Sequence, residues 1–320
     1  MRVLITDSVA EKGVKLMQEA GMTVDQKVGI SEDELVAIIE NYDALLVRSQ
    51  TKVTRRIIEA ANSLKVIGRC GVGVDNIDVQ AATEKGIIVV NAPKGNTNAA
   101  TEQTMALMLA LARKIPQAYM SLVEGKWDRK TYMGIELKNK VLGILGLGKI
   151  GTGVAKRAQA FEMKVLAYDP FVSSEKAKSM GVETADLDTI FKEADFITVH
   201  LPLNDDTRNI IDAEAIGKMK PGVRLINVAR GGIINEKDLY DALQTGKVAG
   251  AAIDVWEKEP CTDSPLQQLP NVVVTPHLGA STKEAQINVA VDVARELINY
   301  SKGGKIVNAV SYTHLTLPTI

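Results

Sequence analysis

Few side chains in this chain are suited to carrying protons, binding metals or forming cross-links. Its 320 residues include three histidines, two cysteines and 4% aromatic residues. The cysteines, Cys70 and Cys261, lie far apart with no CxxC pair and few histidines nearby. That excludes a disulfide framework and a zinc site, so no metal is expected. Charge of one sign is lacking too: 38 Lys+Arg against 39 Asp+Glu leaves a formal charge of −1. Nucleic-acid binders and polybasic membrane anchors need a basic surplus to meet phosphates, so neither class is expected. No apolar run approaches the roughly 18 residues that would span a bilayer. The opening Met-Arg-Val-Leu-Ile-Thr-Asp-Ser reads as a short strand and lacks the apolar core of a secretory signal, about 7–15 residues long. Linkers rich in Pro, Gly or Ser, low-complexity tracts and internal repeats are missing as well. The expectation from these absences is a cytoplasmic protein with very few imidazoles to choose from.

What is present is ordinary for a globular chain, with 46% hydrophobic and 24% charged residues. At roughly 150 residues per domain the length predicts two domains. Short β-branched runs alternate with amphipathic helical stretches from end to end. The runs are Val3–Thr6, Ala44–Val47, Lys65–Gly68, Ile87–Val90, Val141–Leu145, Lys164–Tyr168, Phe196–Val199, Arg224–Val228, Ala251–Val255 and Val272–Thr275. Most are apolar without a polar alternate, as strands covered by helices on both faces should be. Strand–helix alternation predicts βαβ units and a doubly wound, parallel-sheet α/β architecture. Ser31-Glu-Asp-Glu34 has the spacing of a capping box. One long helix is expected over residues 98–125, where it could join the two domains. The last stretch, Val310 to Ile320, has no helical period, and residues 311–320 are expected to be non-native or disordered, with no role for His314.

The strongest local motif is Val141-Leu-Gly-Ile-Leu-Gly146-Leu-Gly148-Lys149-Ile150-Gly151. It follows a strand, opens a helix, and is followed at the next strand end by Asp169, 18 residues past its last glycine. Each part has a physical task in holding a dinucleotide. Gly146 permits a tight turn and Gly148 lets a pyrophosphate approach the backbone. Gly151 lets helix and strand pack closely, and the helix N-terminus offers free amides to the phosphates. Asp169 can accept both ribose hydroxyls and repels a 2′-phosphate. Pro170-Phe171-Val172 supply no arginine for one, so the cofactor is expected to be NAD rather than NADP.

Ligands of open parallel sheets bind beyond the carboxyl ends of the strands. His200, Arg230, Asp254 and His277 all follow or close such ends. Hydride removal from an alcohol needs a base for the hydroxyl proton, and neutral imidazole suits pH 7. The base is therefore His277 or His200, and Ser281 is the expected N-cap of the helix after His277. A carboxylate should hold the imidazole's tautomer; Glu257 and Glu259 both qualify, and spacing does not choose. Arg230, before the flexible Gly231-Gly232, suits the planar recognition of a 2-hydroxy or 2-keto acid carboxylate.

Together, Gly146 to Gly151, Asp169, Asn227-Val-Ala-Arg230-Gly-Gly, Asp254-Val-Trp-Glu-Lys-Glu259-Pro and Pro276-His277-Leu-Gly-Ala-Ser-Thr resemble the D-isomer-specific 2-hydroxyacid dehydrogenases. Within that family the likeness is greatest to members that oxidise 3-phosphoglycerate. It rests on Val47-Arg48-Ser-Gln-Thr-Lys-Val-Thr, Gly68-Arg69-Cys-Gly71-Val-Gly73-Val-Asp-Asn, Trp127-Asp-Arg129-Lys130 and the run from Pro276 to Gln286, with matching stretches over about residues 1–305. The resemblance implies that Glu259 is the partner of His277 and that Arg230 anchors the substrate. It maps cofactor contacts onto Val72, Lys149, Ile150, Asp169, Leu201, Val228, Ala229, Arg230, Asp254 and His277 to Ala280, including Gly279. Several of these are backbone contacts, so Val72 and Leu201 can stand where relatives have Thr. A substrate phosphate would fall to Arg48, Arg69 and Arg129 or Lys130, and the substrate carboxylate to the amides around Gly71 and Gly73.

The resemblance further implies a substrate domain over residues 1–94, completed by 283–310, with an NAD domain over 95–282 inserted in it, and a homodimer or dimer of dimers. Many members of that branch carry serine-binding regulatory domains, and the expectation here is a short form without them. The expected activity is NAD-dependent oxidation of 3-phospho-D-glycerate, opening serine biosynthesis. Competing readings are a sibling dehydrogenase for glycerate, glyoxylate, hydroxypyruvate or lactate, and an NAD-sensing, corepressor-like binding protein.

Overall fold

A computed structural model of the protein describes residues 1–311. The chain divides into two units, Met1–Thr97 together with the chain from Ala280 onward, and Asn98–Gly279. Among the described residues, no helix is long and apolar enough to cross a membrane.

The first unit is built on a five-stranded sheet of β1 (Arg2–Ile5), β2 (Thr23–Gln26), β3 (Ala44–Val47), β4 (Val66–Arg69) and β5 (Ile88–Asn91). Its order is β2-β1-β3-β4-β5, with all pairs parallel. The alternating side chains of each strand bury two separate faces. Val3, Ile5, Leu46 and Val66 pack under the helix Lys283–Ser301 through Val289, Val293 and Leu297. Leu4, Leu45, Val47 and Ile67 pack against Leu35, Ile39, Ile57 and Ile58. Ser31 and Glu34 form the expected capping box at the start of one covering helix. The long helix is capped by Thr282, whose hydroxyl accepts from the Ala285 amide at 3.1 Å. The cap therefore falls one residue past the expected Ser281. Beyond that helix the chain returns to the free edge of β5. Val310 donates its amide to the Val89 carbonyl at 2.7 Å, and the Ser311 hydroxyl accepts from the Val89 amide at 2.9 Å. Ser311, expected in a disordered tail, is thus buried and bonded. The rest of that stretch, His314 included, lies outside the described residues.

The second unit holds seven parallel strands: β6 (Val141–Leu145), β7 (Lys164–Tyr168), β8 (Glu183–Thr184), β9 (Phe196–Val199), β10 (Val223–Asn227), β11 (Val248–Ile253) and β12 (Val272–Val274). Their order, β12-β11-β10-β9-β6-β7-β8, reverses direction between β6 and β9. Crossovers on the two sides of that point run to opposite faces of the sheet and leave a crevice at the carboxyl ends. Leu145 and Val199 are paired there, so Gly146 and His200 emerge side by side. Two all-parallel sheets flanked by helices are what the strand–helix alternation predicts.

The single long helix expected over residues 98–125 is instead two helices, Thr97–Arg113 and Ile115–Val123. Lys114 between them is left-handed, with φ 52°, and Pro116 sits in the first turn of the second. A proline there has no amide to donate and its ring would clash with the preceding turn, so an unbroken helix cannot pass through it.

Close packing of a glycine makes a stability test in the first unit. A Cβ placed on Gly68 of β4 would lie 2.5 Å from Val293 Cγ1 on the helix above it. Gly68→Ala should therefore destabilise by about 1–3 kcal/mol through overpacking. Adding Val293→Ala should recover part of that loss in chemical denaturation. Strict additivity of the two substitutions would refute the contact as the cause.

Candidate active site

Chemistry in the second unit is organised around the carboxyl end of β11. Asp254, the residue after that strand, is fully buried. Its carboxylate accepts from the amides of Leu278 at 2.7 Å and Gly279 at 2.8 Å and from the Thr275 hydroxyl, while its carbonyl accepts from the His277 amide at 2.7 Å. Residues 275–279 are thereby wrapped around one acid. His277 takes a left-handed backbone, φ 56°, which a residue with a Cβ adopts rarely and only where the surroundings enforce it.

The His277 imidazole that this turn presents is 41% exposed, and its Nδ1 lies 2.8 Å from Glu259 Oε2. A carboxylate only accepts, so Nδ1 carries the hydrogen, and the lone pair of the neutral ring lies on Nε2. That tautomer is the one a general base needs. Glu259 Oε1 accepts from the Trp256 amide at 3.1 Å, and the Trp256 indole donates to the Thr275 carbonyl at 3.4 Å. Burial pushes the Glu259 carboxyl up, but the His277 hydrogen bond and charge, the Trp256 amide and the Arg230 charge outweigh it. The group therefore stays below its ordinary value of 4.5. Glu257, the other candidate, is exposed, and its backbone amide donates to the Glu236 carboxylate at 2.6 Å, while the contact to the imidazole is made by Glu259.

His200 has a different environment. Desolvation pushes its imidazole down to about 4, so the ring is neutral at physiological pH. Its Nε2 lies 3.0 Å from the Thr198 hydroxyl. Its backbone carbonyl is 2.7 Å from where a Cβ on Gly146 would stand.

Arg230 follows β10 on a turn built by Asn227. The Asn227 side-chain nitrogen donates to the Arg230 carbonyl at 2.8 Å, and its side-chain oxygen accepts from the Ala229 amide at 3.0 Å. The glycine after Arg230 is needed for packing, since a Cβ on Gly231 would stand 1.9 Å from the Trp256 carbonyl oxygen. The loop bearing Arg230 thus lies directly on the segment bearing Glu259. Asn227, Thr275 and Trp256 are organising residues to which the sequence reading gave no role. The signal for Asn227 was a buried polar residue closing an otherwise apolar strand.

The glycine turn after β6 fits a dinucleotide. Gly146 has φ 96°, and a Cβ on Gly151 would stand 2.0 Å from the Gly146 carbonyl oxygen, so helix and turn meet with no room for a side chain. A Cβ on Gly148 would meet nothing within 4 Å, which leaves the outer side of the turn open. The helix Lys149–Ala160 begins there, and the first amides of a helix have no partner within it. Asp169, ending the path from β7, stands at the mouth of the turn; it accepts from the amides of Leu147 at 2.8 Å and Phe171 at 2.9 Å. Leu201 lies against Gly146 as well, and Gly279 lies between Val228 and Asp254. The predicted contacts from Gly146 to Gly279 therefore line one strand-end edge of this unit.

The remaining predicted residues are distributed differently. Val72, Ala280, Arg48, Arg69, Gly71 and Gly73 belong to the first unit, and exposed Arg129 follows the helix Ile115–Val123 in the second. Arg69 folds over its own loop, with Nη1 1.4 Å from the position of a Cβ on Gly71. The Gly71 amide, expected to bind a substrate carboxylate, already donates to the Arg69 carbonyl at 2.8 Å. The Val72 carbonyl accepts from Asn91 at 2.6 Å. Cys70, between Arg69 and Gly71, is buried, and its thiol is pushed up to about 12, which makes it no nucleophile.

Comparison with known proteins matches this arrangement to one family. The D-isomer specific 2-hydroxyacid dehydrogenase, NAD binding domain, matches residues 105–279. D-3-phosphoglycerate dehydrogenase of Archaeoglobus fulgidus is 53% identical over 97% of this chain and 59% of its own length. The protein of the same name from Bacillus subtilis is 48% identical over 98% of this chain and 60% of its own. The chain spans about three-fifths of the length of these curated relatives. Among solved structures, a glyoxylate reductase from Paecilomyes thermophila superposes with a TM-score of 0.88 at 30% identity, covering 97% of this chain and 98% of that one. D-Lactate dehydrogenase from Aquifex aeolicus, complexed with NAD and lactic acid, gives 0.84 at 29% identity over 97% and 99%. The match runs through the strand ends that carry Asp169, Arg230, Glu259 and His277, and the chain belongs to the D-isomer specific 2-hydroxyacid dehydrogenases, whose NAD-binding domain it carries.

Proposed function

We propose that the protein oxidises 3-phospho-D-glycerate to 3-phosphohydroxypyruvate with NAD, the first step of serine biosynthesis. The observation that carries the reaction type is the 2.8 Å contact between His277 Nδ1 and Glu259 Oε2, which leaves Nε2 as the acceptor for a hydroxyl proton. Bound NAD would supply the hydride acceptor for C2. Arg230 holds the substrate carboxylate and C2 oxygen, and Glu259 stabilises the imidazolium formed when His277 takes the proton. Gly146, Gly148, Lys149, Ile150 and Gly151 cradle the pyrophosphate, with Asp169 on the adenosine ribose. Val72, Leu201, Val228, Ala229, Asp254, Gly279 and Ala280 complete the cofactor contacts. Support for the substrate comes from relatives of about half identity named D-3-phosphoglycerate dehydrogenase. A phosphate on C3 is assigned to Arg48, Arg69 and Arg129.

The protein is proposed to act in the cytoplasm as a homodimer or dimer of dimers. The helix Ile115–Val123 and the residues after it expose Tyr119, Leu122, Val123, Trp127 and Met133 between 58% and 77%. An apolar surface of this kind is expected to be covered, and a second copy would bring Arg129 toward its neighbour.

An NADH-production assay with 3-phosphoglycerate tests the activity. His277→Ala should lower turnover by roughly 10²–10⁴ while NAD affinity stays near wild type. Turnover near wild type in that variant would move the base to His200. Glu259→Gln should lower turnover in the same direction and change stability with pH. A carboxyl held below its ordinary value stabilises the fold above about pH 4.5 and loses that contribution as pH falls through its lower folded value. The denaturation midpoints of wild type and Glu259→Gln should therefore differ near neutrality and converge in acid. A gap that widens in acid would contradict the pairing.

Asp169→Ala should weaken NAD binding by about 1.5–3 kcal/mol, the value of hydrogen bonds to a charged acceptor, and narrow the preference over NADP. Equal binding of both cofactors by the wild type would remove the role given to Asp169.

Arg48→Ala should lower kcat/KM for 3-phosphoglycerate about 10–100-fold through one lost charged contact, with glycerate much less affected. Equal losses on both substrates, or glycerate as the better substrate of the wild type, would transfer the protein to a sibling activity.

A further inference from the structure

We infer that Asp7 and Asn76 are positioning residues that set the Arg48 loop for a phosphorylated substrate, an inference that rests on assigning the substrate phosphate to Arg48. Asp7 stands just past the end of β1 and is 2% exposed. Its carboxylate accepts from the amides of Arg48 at 2.6 Å, Gln50 at 3.2 Å and Thr51 at 3.1 Å, and from the Thr51 hydroxyl. Asn76 grips the same loop by its other polarity. Its side-chain nitrogen donates to the carbonyls of Arg48 and Thr51, each at 2.7 Å. Both ends of residues 48–51 are thus held, amides by one side chain and carbonyls by the other.

The consequence lies in what Asp7 does not do. A buried carboxylate beside an arginine would ordinarily pair with the guanidinium, which would cancel the charge an anionic substrate needs. Here both Asp7 oxygens are committed to backbone amides. Among the described residues, the Arg48 guanidinium donates to neutral acceptors, the Ser8 carbonyl at 3.2 Å and Gln286 Oε1 at 3.5 Å. Among the described residues, no ion pair of Arg48 is found within 4.0 Å. The loop is fixed by an acid whose oxygens are occupied by the main chain, and the guanidinium it positions forms no ion pair with that acid. Asparagine cannot replace Asp7 in this, since it offers one acceptor oxygen and turns two donors toward amides that also donate.

The test is a double-mutant cycle on the full-length protein, read as KM for 3-phosphoglycerate, with NADH fluorescence titration as the control for folding. Asp7→Asn is expected to raise KM about 10-fold with NADH affinity unchanged. In an Arg48→Ala background the same substitution is expected to add less than about 2-fold, because the group it positions is gone. Asn76→Ala provides a second arm should Asp7→Asn fail to fold, with the same non-additivity expected. A wild-type KM in the folded single variants, or their full effect on top of Arg48→Ala, would overturn the inference while leaving Arg48 as the phosphate ligand. An Arg48→Ala protein with wild-type KM would overturn the phosphate assignment itself and the clamp's purpose with it.

Discussion

The buried carboxylate of Asp254 is the constraint on which the catalytic geometry depends. An acid with no solvent is costly unless donors surround it, and here the donors are the amides and hydroxyl of residues 275–279. Folding that segment around Asp254 forces His277 into a left-handed backbone and turns its ring toward Glu259. The strain is held because three consecutive amides, from His277 to Gly279, end on the same residue. Two acids within six residues of each other thus divide the work. Asp254 shapes the main chain and Glu259 faces the imidazole.

The same device recurs at other strand ends. Asp7 follows β1, Asp169 follows β7, Asn227 closes β10 and Asp254 follows β11, and each accepts from amides of a loop that leaves a strand end. Parallel strands all finish at one edge, where the sheet stops supplying partners to the main chain. A short polar side chain at that edge satisfies the departing loop and fixes its direction. Functional loops held in this way gain precision from the scaffold rather than from their own composition.

This recurrence explains which features were legible in the sequence. Central strands such as β3, β6 and β9 are apolar on both faces and stand out as runs. The edge strands β2, Thr-Val-Asp-Gln, and β8, Glu-Thr, face solvent and carry no such pattern, so neither is legible as a strand in the sequence. Pro116 marked the helix break, but the apolar period continues across it and masked the signal. Glu257 and Glu259 could not be separated by spacing because each sits on the same irregular segment; Glu259 is turned to the imidazole with its second oxygen on the Trp256 amide, a contact that spacing does not report. The Gly71 amide looked available because a glycine loop suggests open donors, yet the loop satisfies itself through Arg69.

The two described histidines show why the base is chosen by surroundings rather than by position. Both follow strand ends, yet burial without a carboxylate holds His200 neutral, with its ring near Thr198 and its carbonyl against Gly146. His277 is exposed on one side and meets a carboxylate on the other. Glu259 is held below its ordinary value against the effect of burial by the His277 hydrogen bond and charge, the Trp256 amide and the Arg230 charge, so it faces the imidazole as a carboxylate near neutrality. A proton arriving at Nε2 then finds the same partner as a proton leaving it, so the pair is equally suited to taking a proton from an alcohol and returning one to a ketone. The site lowers the barrier in both directions, and the equilibrium constant, the pH and the concentrations of the substrate and cofactor forms together decide which way the reaction runs.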